Sequence, residues 1–132
     1  METRDRSGRT ELHYAALEDD AVKARALIAA GADLDAADHE GFTPLHFAAQ
    51  QHAVAVARLL VESGATIDAA NKHGNTPLWT AVFNSQGRGE LIELLRRAGA
   101  DPNHVNKAGR TLLALARLIG NYNVAQFFVD VT

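Results

Sequence analysis

The chain has 132 residues, 47% apolar and 22% charged, a composition that suits one folded domain and excludes intrinsic disorder. Its formal net charge of −3 does not indicate a nucleic-acid binder, and the lack of cysteine excludes disulfides and thiolate metal sites. No apolar run approaches the roughly 20 residues that span a bilayer, and no signal-peptide pattern opens the chain, so we predict a cytoplasmic protein that does not contact membranes.

Four internal repeats divide the chain, and we assign them to residues 5–37, 38–70, 71–105 and 106–132 of a single domain, 1–132. Glycines spaced by 33, 33 and 35 residues mark them, at Gly8, Gly41, Gly74 and Gly109. A threonine, a leucine and an alanine follow each glycine at constant spacing. Such a period predicts stacked structural units that bury a core between neighbours.

Each repeat predicts a turn followed by two helices. The Thr–Pro pair at Thr43 and Pro44 is typical of a helix start, because the hydroxyl can accept from free backbone N–H groups and proline suits the first helical position. A second helix is predicted over residues 54–63, with Leu60 in the core. It ends at Gly64, which can adopt the left-handed cap conformation, and an extended segment leads to the next turn.

Residues 41–49, which read Gly-Phe-Thr-Pro-Leu-His-Phe-Ala-Ala, resemble the central signature of the ankyrin repeat, and Gly64-Ala65 continues the resemblance. The resemblance runs from about residue 5 to the end of the chain. It implies an all-α ankyrin-repeat solenoid of stacked helix-turn-helix units joined by β-turn or hairpin loops. It also implies a protein-binding module that is not an enzyme and needs no cofactor.

The two outer repeats depart from this pattern. Repeat 4 lacks the Gly-Ala turn after its second helix, over residues 127–132, and repeat 1 has Asp19 and Asp20 where the family often has Gly-His. Both departures are typical of terminal caps, so we expect a complete array of four repeats. Repeat 3 carries Trp79 in place of the family's histidine and two extra residues within the loop 85–89. That loop is interpreted as a second contact or a neutral insertion.

The six histidines favour structural roles over metal binding. His13 and His46 occupy the position where the family's histidine bonds to neighbouring backbone. His39 and His73 lie at successive turn tips, but two histidines without a third ligand make a poor zinc site. We predict surface positions for the two remaining histidines, His52 and His104, and no metal site.

The recurring aspartates do not form a calcium site either. Asp33, Asp35 and Asp68 recur because the repeat recurs, and the EF-hand spacing with its closing glutamate is absent. No nucleophile elbow or zinc-protease motif is present. An enzyme or metal-dependent protein therefore remains only a less favoured alternative.

The resemblance implies that a partner contacts the concave side of the stack, formed by the turn tips and first helices and called here the turn face. Transferred position by position, the predicted partner-binding residues are Arg9, His39, Glu40, Phe42, Gln50, Gln51, Lys72, His73, Asn75, Trp79, Phe83, Asn84 and Arg110. Phe42 and Phe83 are predicted to be exposed and to form a hot spot, because the repeat does not need them for its core. The alternative is that each tucks against an adjacent turn. For Trp79, core and contact roles are equally supported.

Charge is unevenly distributed, with a net −6 over residues 1–70 and a net +3 over residues 71–132. We favour a solvated surface as the explanation over a charge polarity that orients the partner.

The predicted function is binding of an unidentified partner protein, with no nucleic acid involved and a monomer when unbound. The excess of arginine over lysine suggests a bacterial coding sequence. Small lone ankyrin proteins of bacterial type resemble immunity proteins, so the alternative function is neutralisation of a cognate bacterial toxin or enzyme.

Overall fold

The computed structural model describes residues 4–119, 124–128 and 130, and this part of the chain is helical. It contains seven α-helices and one 3-10 helix, in the order α1 (Glu11–Leu17), α2 (Ala21–Ala29), α3 (Pro44–Gln50), α4 (Val54–Glu62), α5 (Pro77–Phe83), α6 (Glu90–Arg97), α7 (Leu112–Leu118) and the 3-10 helix (Val124–Phe128). A lone bridge between Val105 and Thr111 is the β pairing within these residues. The all-α solenoid is confirmed. Residues 129, 131 and 132 of the predicted C-terminal cap lie outside the described part.

The first helix of every repeat begins at the predicted threonine. Thr10, Thr43, Thr76 and Thr111 are extended, and each side-chain oxygen accepts a hydrogen bond from the backbone N–H of the third helical residue. Pro44 occupies the first helical position of α3. Such a cap typically contributes about 1 kcal/mol, which matters for helices of only seven residues.

The helices form two layers. The first helices α1, α3, α5 and α7 stack in a row, and the second helices α2, α4 and α6 stack behind them. Small buried side chains such as Ala48 and Ala81 let the first helices approach closely. Leu60 of α4 is fully buried, as predicted for that register.

The turns are built alike and stack on one another. In each, a side-chain oxygen of Asp5, Asp38, Asn71 or Asn106 accepts two backbone N–H groups of its own turn. Between turns, the backbone N–H of Lys72 donates to Glu40 O at 2.9 Å, and that of Lys107 donates to His73 O at 3.1 Å. The turn tips therefore form one continuous edge.

Two histidines differ from their predicted surface positions. His52 follows the C-cap of α3 with a left-handed φ of 53°, is half-buried, and its Nε2 lies 2.8 Å from Glu90 Oε2. His104 is half-buried as well, and its Nε2 donates to Gly74 O at 2.8 Å. The His52 ring joins repeats 2 and 3, and the His104 ring ties the end of repeat 3 to its own turn.

The C-terminal 3-10 helix is attached to repeat 3 through Arg96. The guanidinium donates to Phe127 O at 2.8 Å, pairs with Asp130 at 2.7 Å, and lies 5.4 Å from the centre of the Phe128 ring. Gly89 packs against Phe127 so closely that a Cβ at this position would overlap the ring. The extra loop of repeat 3 therefore ends in a glycine that this packing requires.

Candidate partner-binding surface

A groove of about 340 Å³ lies on the turn face between repeats 2 and 3. Seven of the thirteen predicted partner-binding residues line it, namely Phe42, Gln50, His73, Asn75, Trp79, Phe83 and Asn84. Asn71 and Thr80 complete the lining and were not among the predicted residues. We call this feature the aromatic groove.

The two predicted hot-spot phenylalanines have different environments. Phe83, at the end of α5, leaves 65% of its surface exposed. Phe42 is half-buried, with its ring centre 5.3 Å from that of Phe47 and 5.5 Å from that of His46. The prediction that Phe42 is exposed is therefore wrong, because the turn before α3 places this ring over that helix.

Trp79 has features of both predicted roles, a core residue and a contact residue. The side chain is half-buried and packs against the hydrophobic core, and it also lines the aromatic groove. Its ring nitrogen can only donate, so it cannot accept from the Thr76 backbone N–H as a histidine at this position would. Instead, repeat 4 bonds to repeat 3 through Asn106, whose amide donates to Asn75 Oδ1 at 2.9 Å, and His104 donates to Gly74 O within repeat 3.

His13 and His46 hold the turn of the following repeat in place. Nδ1 of each ring accepts a backbone N–H, from Thr10 at 2.9 Å and from Thr43 at 3.1 Å. The hydrogen is therefore on Nε2, which donates to Phe42 O at 2.8 Å in one case and to Asn75 O at 2.9 Å in the other. Burial lowers the pKa of both imidazoles. These buried rings thus position two residues of the groove, as their predicted structural role requires.

Four amide side chains supply most of the polar lining of the groove, beside His73 and Thr80. Asn84 donates to Thr80 O at 2.9 Å, which leaves its carbonyl oxygen available, and Gln50 is half-buried at the end of α3. Within the described chain the side chain of Gln50 forms no hydrogen bond. Amide side chains both donate and accept, so they match the backbone of a bound peptide.

Six predicted residues lie on the turn face outside the groove. Arg9 is held internally, with Nε 3.5 Å from Asp38 Oδ2 and its guanidinium carbon 4.8 Å from the Phe47 ring centre. Glu40 and Lys72 pair with each other. The remaining three are exposed: His39, Gln51 and Arg110.

Leu118 was missed by the sequence reasoning. It lies seven residues after Thr111, as Phe83 lies seven residues after Thr76, and it leaves 64% of its surface exposed. Because α7 stacks on α5, the two side chains occupy equivalent places on adjacent helices. The repeat register was the signal that could have identified it.

The aspartates join neighbouring loops. Asp35 accepts from the backbone N–H and the hydroxyl of Thr66, at 2.7 and 2.8 Å, and Asp68 accepts from the Asp101 N–H at 3.2 Å. Within residues 4–119, 124–128 and 130, no group of three or more acidic or histidine side chains could hold a metal ion. Among the same residues, no helix is both long and apolar enough to cross a bilayer.

Paired helices and stacked turns define a helical repeat protein with a groove on its turn face. The family model described as ankyrin repeats, in three copies, matches residues 12–105, which is more than half of the chain. The chain therefore belongs to the ankyrin-repeat family, and the resemblance noted from its sequence is confirmed. Ankyrin repeats are generally protein–protein interaction modules. A search of curated proteins found no match.

Proposed function

We propose that this protein binds a partner protein through its turn face, with the aromatic groove at the centre of the contact. The observation that carries the proposal is Phe83, which is 65% exposed beside Trp79 and Asn84. Aromatic side chains next to hydrogen-bonding groups are the usual energetic centre of protein interfaces. The predicted residues outside the groove, Gln51 and Arg110 among them, would form the rim.

The groove suits an anchoring side chain. Its volume of about 340 Å³ is at the low end of the range of roughly 300–1,000 Å³ found for ligand pockets. His73 and Thr80 also belong to the lining, and the Thr80 hydroxyl donates to Thr76 O. This lining offers apolar surface and amides to a partner, and it does not favour a catalytic role. We propose a cytoplasmic protein that is monomeric when unbound.

A pair of charge insertions tests the proposal. Phe83→Asp places a carboxylate in the groove, whereas Val22→Asp places one on the exposed face of α2, where 78% of the valine is accessible. Neither side chain is buried, so both variants should keep the melting temperature within a few degrees of the unmodified protein. Affinity capture from a lysate of the source cells, read by mass spectrometry, then compares the three proteins.

The expected result is a stoichiometric partner that the unmodified protein and Val22→Asp retain and Phe83→Asp loses. Its identity distinguishes a scaffold from an inhibitor that neutralises a toxin or other enzyme. Equal capture by all three proteins would refute the groove as the contact, and loss by both variants would attribute the effect to added negative charge.

A further inference from the structure

The acidic residues of repeats 3 and 4 lie away from the turn face. Glu90 and Glu93 belong to α6, in the second layer, and Glu90 is bonded to His52. Asp101 follows α6, and Asp130 pairs with Arg96 beyond the 3-10 helix. The turns and first helices of these two repeats therefore carry no carboxylate.

Cations border the aromatic groove on the same side. Lys107 and Arg110 are exposed in the turn of repeat 4, and their side chains form no hydrogen bond or ion pair within the described residues. Their turn adjoins the groove directly, because the Lys107 N–H donates to His73 O at 3.1 Å and Asn106 donates to Asn75 at 2.9 Å. Unpaired cations on one side of a groove attract a ligand of opposite charge.

Arg88 adds a third positive charge at the other end of α5. Its guanidinium donates to Ser85 O at 2.9 Å and to Asn84 O at 3.5 Å, both carbonyl oxygens. Carbonyl acceptors orient the side chain, and its charge also interacts with the Glu90 carboxylate. The groove is thus flanked by cations at both ends of the first helix of repeat 3.

An apolar strip runs from the groove across the C-terminal ends of α5 and α7. Phe83 and Leu118 are 65% and 64% exposed at equivalent positions of the stacked helices α5 and α7. Exposed large apolar side chains that adjoin a groove indicate a contact surface for another protein. The strip ends in repeat 4, the repeat whose turn carries Lys107 and Arg110.

We propose that the groove binds an acidic, extended segment of the partner protein, with a bulky apolar residue on Phe83 and Leu118 and carboxylates facing Lys107 and Arg110. This inference rests on the proposed function and specifies the chemistry of the partner. Nucleic acid would also be attracted by cations. It is disfavoured because an aliphatic side chain occupies half of the strip, where successive bases would require aromatic platforms.

A peptide selection tests this assignment without knowledge of the natural partner. A random peptide library displayed on phage is selected against the protein and, in parallel, against Phe83→Asp. Enriched peptides are synthesised together with analogues in which Asp and Glu become Asn and Gln. Binding is followed by the fluorescence of Trp79, which is the only tryptophan in the chain and lines the groove.

Two double variants separate a local charge effect from a general one. Lys107→Glu with Arg110→Glu reverses the cations beside the groove. Arg6→Glu with Arg25→Glu changes the net charge equally, at exposed positions in repeat 1 that have no ion-pair partner among the described residues. We expect the selection to enrich acidic peptides that contain an apolar residue. Their affinity should be about tenfold lower for the Lys107/Arg110 variant and unchanged for the Arg6/Arg25 variant. Their affinity for the unmodified protein should decrease in high salt.

Other outcomes would overturn the inference in distinguishable ways. Peptides that need Phe83 but are neutral or basic, or that bind both double variants equally, would overturn the acidic partner while leaving the proposed function intact. No enrichment over Phe83→Asp would overturn both. A single-stranded oligonucleotide that binds with the same dependence on Lys107 and Arg110 would assign the surface to nucleic acid.

Discussion

His13 and His46 make stability depend on pH at the scale of single residues. Burial is the largest influence on each ring and lowers its pKa below the ordinary value of 6.5, against the opposing effects of a backbone acceptor and the Asp38 carboxylate. Both are neutral in the folded protein. Below pH 6.5 the unfolded chain therefore binds more protons than the folded protein. The contribution of these histidines to the free energy of unfolding should be fully present above that pH and should decrease as the pH falls toward the folded-state pKa.

Urea unfolding at about pH 7.5 and about pH 5.5 checks this dependence. The comparison is a double variant, His13→Gln with His46→Gln, which keeps the other four histidines. We expect the double variant to be less stable at pH 7.5 and to lose less stability on acidification. An equal loss in both proteins would show that other groups control the acid response.

Phe42 and Phe83 show where sequence reasoning reaches its limit for single side chains. The repeat pattern correctly placed both on the turn face. It could not predict that the Phe42 ring folds back onto Phe47 and His46, because that contact depends on the direction of the turn. Phe42 thus contributes to the core as well as to the groove, and Phe83 alone is the strongly exposed aromatic residue of the pair.

At the scale of elements, alanine substitutions at two equivalent glycines can measure how closely the turns stack. Gly74 and Gly109 occupy equivalent turns with φ of +76° and +77°. A Cβ at Gly74 would lie 2.7 Å from Lys107 N, whereas nothing lies within 4 Å of a Cβ at Gly109. Both alanine variants should lose about 1–2 kcal/mol for the left-handed backbone, and Gly74→Ala should lose more because the next turn must shift.

Urea denaturation of the two glycine variants gives the difference in unfolding free energy. A larger loss for Gly74→Ala measures the close approach of turns 3 and 4. Equal losses would contradict the stacked turns, since backbone strain alone would then account for both.

The loop 85–89 of repeat 3 was interpreted from sequence as a contact or a neutral insertion. In the structure it is a closed turn in which Ser85 is buried, Gln86 has a left-handed φ of 53°, and Arg88 donates to Ser85 O. Its last residue, Gly89, packs on Phe127. The loop therefore has a structural role at the attachment of the C-terminal 3-10 helix, which its length and composition alone do not indicate.

At the scale of the whole molecule, a cavity in repeat 2 should weaken the entire stack. Leu60 is fully buried in α4, which packs against both α2 and α6, so repeat 2 is held between its neighbours. Leu60→Ala should lower the free energy of unfolding by about 2–5 kcal/mol. In an array of this length the loss should spread to all repeats, since each is stabilised by its contacts with the next.

Circular dichroism reports all helices, and the fluorescence of Trp79 reports repeat 3, so the two signals together test this coupling. We expect both midpoints to decrease together in Leu60→Ala. The matched control is Leu118→Ala, where the leucine is 64% exposed and the loss should stay below about 0.5 kcal/mol. A midpoint that shifts in circular dichroism but not in fluorescence would show that repeat 3 folds independently of repeat 2.

The sequence by itself determined the family, the helix starts and the stacking. Those features depend on short-range chemistry repeated at a fixed period, such as a threonine cap before each first helix and a glycine in each turn. Because the same local signals recur four times, each one supports the others. The residues that reach the turn face follow from the same register, and seven of those predicted line one groove.

Only the tertiary structure decided which of these residues act together. Arg9 is ion-paired with Asp38, Glu40 is ion-paired with Lys72, and the Phe42 ring packs on Phe47. Phe83 is exposed, and the side chains of Lys107 and Arg110 form no hydrogen bond or ion pair within the described residues. Pairing between repeats joins residues about 30 positions apart, and its outcome depends on side-chain directions and distances that a period in the sequence does not carry. The repeat predicts which side chains lie on the surface, but it does not predict which of them already form contacts within the protein.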